Sequence, residues 1–123
     1  MPNGILIVDD NVVIRRMVQT EFEDISGWEV CGEAENGWEA IEKARALKPD
    51  LIVLDLAMPI MNGLEAAPVL RRTMPAVPII LFTLHDNKAV EREAVSVGVS
   101  AVVSKATGMK SLVHHAQGLL AAA

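Results

Sequence analysis

ILIVDD, residues 5–10, runs four apolar residues straight into two carboxylates. Three other stretches repeat that form: LIVLD at 51–55 ends in Asp55, PIILFT at 78–83 ends in Thr83, and AVVSK at 101–105 ends in Lys105. A short apolar run closed by a polar residue is the pattern of a strand buried on both faces. Helix-length segments with apolar residues three and four apart separate these runs. The reading gives strands near 4–8, 28–34, 51–55, 78–83 and 100–104, and helices near 11–25, 37–47, 64–73, 87–97 and 108–121. Strict alternation requires right-handed crossovers and a parallel sheet covered on both sides. The expected fold class is therefore α/β, a doubly wound five-stranded parallel sheet with five helices. In such sheets ligands bind beyond the carboxyl ends of the strands. Asp9, Asp10, Asp55, Thr83 and Lys105 all fall there.

The bulk properties narrow the choice of function. With 123 residues, 51% of them hydrophobic, the chain can build one well-filled core. We expect one domain over 1–123. Aromatic residues make up only 3%, so that core is aliphatic. A net charge of −5 argues against direct nucleic-acid binding, which needs a basic face. The single Cys31 cannot form an internal disulfide, which fits a reducing cytoplasm. No stretch reaches the roughly 18 apolar residues of a membrane span, and the start lacks a signal-peptide pattern.

Local features set further expectations. Helix one carries Ile14, Met17, Val18, Phe22 and Ile25 on one stripe, with Arg15 and Arg16 off it. Pro68 lies inside helix three, which should start late or bend. Asp86 or Asn87 can cap helix four, Gly98 can close it, and Thr107 can cap helix five. Trp28 and Trp38 read as packing residues, and His114 and His115 as solvent-facing ones.

Each polar strand-end residue has an ordinary reading when taken alone. An aspartate of the pair could cap helix one, where a carboxylate suits the positive helix end. Thr83 could simply end a strand, and Lys105 could be a charge leaving the core. Together they suggest more. Two adjacent carboxylates repel unless a cation sits between them, and Mg²⁺ prefers such oxygen ligands. A third carboxylate is a competent nucleophile toward phosphorus. A lysine and a hydroxyl can meet phosphoryl oxygens.

ILIVDDN with Arg15, LIVLDLAMPIMNG, PIILFT and SAVVSK resemble the receiver domains of two-component response regulators over the whole chain. The resemblance implies a flavodoxin-like, receiver-type fold with Asp55 as phosphoacceptor. It implies Mg²⁺ held by Asp9, Asp10, Asp55 and the backbone carbonyl of Ala57, with Thr83 as switch hydroxyl and Lys105 sensing the phosphoryl group. It also implies a histidine kinase or phosphotransfer protein as donor, phosphorylation-dependent homodimer formation, and a cytoplasmic place. Ala106 stands where most receivers have proline. That departure resembles receivers joined to LuxR-type helix-turn-helix outputs, so a C-terminal DNA-binding output domain outside this chain is expected. Val102 replaces the usual aromatic residue, which shifts the expected switch movement to Thr83 and the 84–87 backbone. Ala57 and His85 occupy the positions that tune phosphoryl lifetime. The expectation is a signalling module that is not an enzyme. Two alternatives stay open: a small Mg²⁺-dependent phosphohydrolase using Asp55, and a receiver-shaped interaction module that is never phosphorylated.

Overall fold

A computed structural model describes residues 2–122. Five strands, β1 (Asn3–Val8), β2 (Trp28–Ala34), β3 (Leu51–Leu54), β4 (Ile79–Thr83) and β5 (Ala101–Ser104), form one sheet in the order β2-β1-β3-β4-β5. All neighbouring pairs are parallel. Five helices connect or follow them: α1 (Val12–Glu23), α2 (Gly37–Leu47), α3 (Gly63–Thr73), α4 (Lys88–Ser96) and α5 (Met109–Ala121). The expected five strands and five helices are all present, with small shifts at their ends.

Alternation along the central strands divides the core into two layers. Leu6, Val8, Ile52, Leu54, Ile79 and Leu81 face α2, α3 and α4. Ile5, Ile7, Leu51, Val53, Ile80 and Phe82 face α1 and α5. Successive side chains of a strand point to opposite faces, so continuous apolar runs are needed to fill both. On the second layer the Phe22 and Trp28 rings meet edge-to-face at 5.4 Å, a favoured aromatic geometry. The edge strand β2 slips register at Cys31: Val30 pairs with Ile5 and Gly32 with Leu6.

The helix starts share one device. Asn11, Asn36, Asn62 and Asn87 cap α1, α2, α3 and α4, each accepting backbone N–H donors on its side-chain oxygen. Such caps satisfy amides the helix leaves unpaired. Neither Asp9 nor Asp10 caps α1, contrary to the reading of one of them as a cap. At α3, Asn62 and Glu65 form a reciprocal capping box. That box starts α3 directly at Gly63, so the expected late start is not found. Pro68 lies inside the helix, where the Leu64 carbonyl forgoes its usual donor. Thr107 does not cap α5. It ends a 3₁₀ turn, Lys105–Thr107, and its hydroxyl donates to the Ser104 carbonyl at 2.8 Å.

Two burial expectations on α1 reverse. Met17 is 47% exposed, whereas Arg15 is 8% exposed. Positions 15, 18 and 22 hold the true inward stripe, because Arg15 finds polar partners there. Trp38 is exposed as well, so it is not a packing residue. Asn87 and Gly98 do start and close α4, with Gly98 at φ +93°. Arg71 holds the edge of the sheet opposite the polar strand ends. Its guanidinium donates to the carbonyls of Gly98 at 2.8 Å and Val77 at 2.7 Å.

Ile60, in the loop after β3, is the unexpected backbone element. It takes φ +70° and is 84% exposed. A β-branched residue is disfavoured there, since left-handed backbone costs roughly 1–2 kcal/mol for residues with a Cβ. Asparagine tolerates this region, and so little of the Ile60 side chain is buried that few contacts would be lost. Ile60→Asn should therefore stabilise the domain by about 1 kcal/mol. Urea melts read the effect, and an unchanged or lowered midpoint would remove strain as its cause.

Candidate functional site

Parallel register delivers the site. Asp9 and Asp10 follow β1, Asp55 follows the neighbouring β3, and Lys105 follows β5. Asp55 is anchored by its own backbone: its N–H donates to Val8 O at 2.9 Å, and its Oδ1 accepts from Leu56 N at 2.8 Å. Asp9 Oδ1 accepts from Asn11 N at 2.9 Å. The Lys105 ammonium bridges both acids, 2.7 Å from Asp9 Oδ2 and 3.2 Å from Asp55 Oδ2. Asp9 and Asp55 are buried, while Asp10 is exposed at the mouth.

One carboxylate oxygen from each of Asp9, Asp10 and Asp55 lies within 4.8 Å of the others. Three carboxylates against one ammonium leave the cluster short of positive charge. Burial, followed by the negative charge of Asp9, raises the Asp55 pKa above its ordinary value despite Lys105. Burial also opposes the Lys105 charge, but the Asp9 hydrogen bond and the Asp55 charge outweigh it and raise that pKa. Lys105 therefore stays protonated, and the residual negative charge suits a hard cation with oxygen ligands. The donor set fits a divalent metal ion of that class.

Thr83 is fully buried, and its Oγ1 accepts from His85 N at 3.1 Å. That hydrogen bond ties it to the β4–α4 loop rather than to the acids. Ala57 is exposed, two residues beyond Asp55. Val102 is partly buried against the α2–α4 layer.

Two contributors entered the sequence reading only as members of the matching stretches, without the contacts they make. Arg15 Nη1 donates to the Asp9 main-chain carbonyl at 2.6 Å, and Nε donates to Glu33 Oε1 at 2.9 Å. Its spacing of three and seven residues from Val18 and Phe22 was the signal. Gly63 is the other: a Cβ there would lie 2.2 Å from the Asp55 carbonyl oxygen. The sequence could not show that approach, because it depends on how α3 crosses the end of β3.

Known proteins place this geometry. The response regulator receiver domain profile matches residues 5–117. A protein-glutamate methylesterase/protein-glutamine glutaminase of Methanococcoides burtonii is 38% identical over 109 residues, covering 87% of this chain and 31% of that protein. The response regulator GacA of Pseudomonas viridiflava is 32% identical over 109 residues, covering 89% of this chain and 51% of that protein. The chain thus spans about half or less of the length of these curated relatives. A solved two-component response regulator of the LuxR family, from Aurantimonas sp. SI85-9A1, superposes with a TM-score of 0.93 at 31% identity. That alignment covers 99% of this chain and 87% of the other. Among the described residues no helix is long and apolar enough to cross a membrane.

Proposed function

The chain belongs to the response regulator receiver domain family, and from that premise we propose that Asp55 is its phosphoacceptor and that residues 1–123 act as one phosphorylation-controlled unit. The observation that carries the assignment is the Asp9–Lys105–Asp55 bridge beside exposed Asp10. Receiver domains work by aspartyl phosphorylation, and histidine kinases phosphorylate response regulators. Here an Asp55 carboxylate oxygen attacks phosphorus, the bond from phosphorus to the donor imidazole nitrogen breaks, and the imidazole keeps that electron pair. Lys105 offsets charge on the transferred group, and the fixed Asp55 backbone holds the nucleophile in place. Asp9, Asp10, Asp55 and the Ala57 carbonyl would hold Mg²⁺, which would supply positive charge for the phosphoryl oxygens.

Incubation with Mg²⁺ and acetyl phosphate should add one phosphoryl group, mapped to Asp55 by mass spectrometry. Labelling at another residue would sink the assignment. The output is proposed to be a DNA-binding domain C-terminal to this unit, since a LuxR-family response regulator is among the structures this chain resembles and the match to GacA covers only 51% of that regulator. A cytoplasmic place, a histidine kinase or phosphotransfer protein as donor, and a phosphorylation-dependent homodimer complete this reading. The methylesterase name belongs to a relative matched over only 31% of its length. The phosphohydrolase alternative lacks a general acid at Ala57, so the domain is read as a switch rather than an enzyme.

Thr83 couples uptake to output in this reading. Release of its hydroxyl from His85 N frees the β4–α4 loop, while Val102 stays packed against the core. Thr83→Ala should therefore keep phosphoryl uptake within about threefold, because nucleophile and metal ligands remain. It should abolish the phosphorylation-dependent change in hydrogen exchange at 84–97. A full exchange response in the variant would exclude Thr83 as the coupler.

A further inference from the structure

Arg15 sits one turn into α1, yet its guanidinium reaches back beyond the start of the helix. Helical side chains lean toward the N-terminus of their helix, and this one folds under the β1–α1 turn. Nη1 donates to the Asp9 carbonyl oxygen at 2.6 Å. Nε donates to Glu33 Oε1 at 2.9 Å, and Nη2 lies 3.8 Å from Glu35 Oε1. The residue is buried. Glu33 lies in β2 and Glu35 just beyond its end, so the guanidinium ties the turn after β1 to the neighbouring strand.

The acceptor matters more than the ion pairs. The Asp9 carbonyl belongs to the peptide unit that joins Asp9 to Asp10. Its orientation sets ψ of Asp9 and φ of Asp10, the two angles that aim the chain as it leaves the strand. Asp9 needs no help with its own carboxylate, which Asn11 N and Lys105 already hold. Asp9 N is likewise fixed by Ala34 O at 3.0 Å. Asp10 differs: it is exposed, and among the described residues no hydrogen bond or ion pair holds its side chain. Its place in the acidic trio comes from the backbone alone.

We propose that Arg15 is a positioning residue that sets the Asp9–Asp10 peptide and so aims Asp10 at the metal site. The inference rests on the metal-site reading above. Glu33 and Glu35 neutralise the guanidinium, so its function is directional donation rather than added positive charge. A lysine would keep the charge but lose the planar fork that spans carbonyl and carboxylate together. Groups outside the ligand shell that orient ligands typically change metal affinity by about 10–100-fold.

The test uses Mg²⁺ alone, titrated into the folded protein and followed by amide chemical shifts, for Arg15→Met, Arg15→Lys, Glu33→Gln and Asp10→Asn. Arg15→Met should weaken Mg²⁺ binding about tenfold or more, with Arg15→Lys rescuing it only partly. Glu33→Gln keeps an acceptor for Nε and should stay within about twofold. In metal-free protein, the Asp10 N–H residual dipolar coupling should change in both Arg15 variants, because the peptide has turned. A purely structural role would lower the melting point and leave both readouts of the folded protein unchanged, which overturns the proposal. Complete rescue by Arg15→Lys would also overturn it, since charge alone would then suffice. If Arg15→Met does not fold, the Arg15→Lys affinity and coupling decide between these outcomes. Asp10→Asn separates the two levels: if it leaves the titration unchanged, the metal-site reading itself fails. If only the Arg15 variants leave the titration unchanged, the positioning inference fails and the site stands.

Discussion

Asp55→Asn should remove phosphoryl uptake, by a factor on the order of 10³ or more, the scale on which loss of a nucleophile is felt. The same change should make the metal-free domain more stable at neutral pH. The sign follows from the raised pKa of Asp55, caused first by burial and then by Asp9. A carboxyl group whose pKa is higher in the folded state binds more protons folded than unfolded. Stability therefore falls as pH rises from the unfolded pKa, about 3.9, through the folded one, and it stays lowered above. Asparagine removes the charge that burial and Asp9 disfavour, while Lys105 keeps its 2.7 Å bond to Asp9. The variant's melting-point advantage should thus grow as pH rises through the folded Asp55 pKa and shrink as pH falls toward 4. Thermal melts across that range in a metal-free buffer would check it. A variant that melts lower than the parent at pH 7 would mean Lys105 outweighs burial at this carboxylate.

Gly63→Ala should be the most damaging small substitution in the chain. A Cβ at Gly63 meets the Asp55 carbonyl oxygen at 2.2 Å and its carbonyl carbon at 3.0 Å. Both are backbone atoms, so no side chain can rotate away. Gly63 N also donates to Leu56 O at 2.9 Å, which pins α3 against the same strand end. Alanine would normally favour a helix over glycine by about 1 kcal/mol. Overpacking costs of 1–3 kcal/mol or more oppose that gain, and here the strain falls on backbone. We expect a net loss of about 2 kcal/mol or more, with phosphorylation slowed because Asp55 must shift. Urea melts and the acetyl phosphate labelling rate measure the two effects. Equal midpoints and rates would show that α3 can move off β3 freely.

The sheet and most of the site were legible because they depend on periodicity and strand ends. ILIV, LIVL and IILF each place alternate residues in two layers, so continuous apolar runs announced a sheet covered on both sides. Asp9, Asp10, Asp55 and Lys105 follow from that topology, since parallel strands bring their carboxyl ends to one edge. Contacts across elements were less legible. Arg15 looked like a surface charge because its partners, the Asp9 carbonyl and Glu33, are unknown until β1, β2 and α1 are assembled. Met17 looked like core because a helical stripe has soft edges. Asn11 displaced the aspartates as the α1 cap because its side chain reaches Val13 N and Ile14 N, while Asp9 points into the site. The late start expected for α3 gave too much weight to Pro68 and too little to the Asn62–Glu65 box.

Two of the four asparagine caps precede glycine: Asn36–Gly37 and Asn62–Gly63. In a loose chain this dipeptide is prone to deamidation, in which the glycine nitrogen attacks the side-chain amide carbon and ammonia leaves. The fold withholds both nucleophiles. Gly37 N is bonded to Met61 O at 2.8 Å and Gly63 N to Leu56 O at 2.9 Å, while each asparagine oxygen is held by its helix. Damage at these caps therefore accumulates only during excursions in which α2 or α3 lets go. The share of aspartate and isoaspartate at positions 36 and 62 becomes a chemical clock, recording how long a sample has spent unfolded.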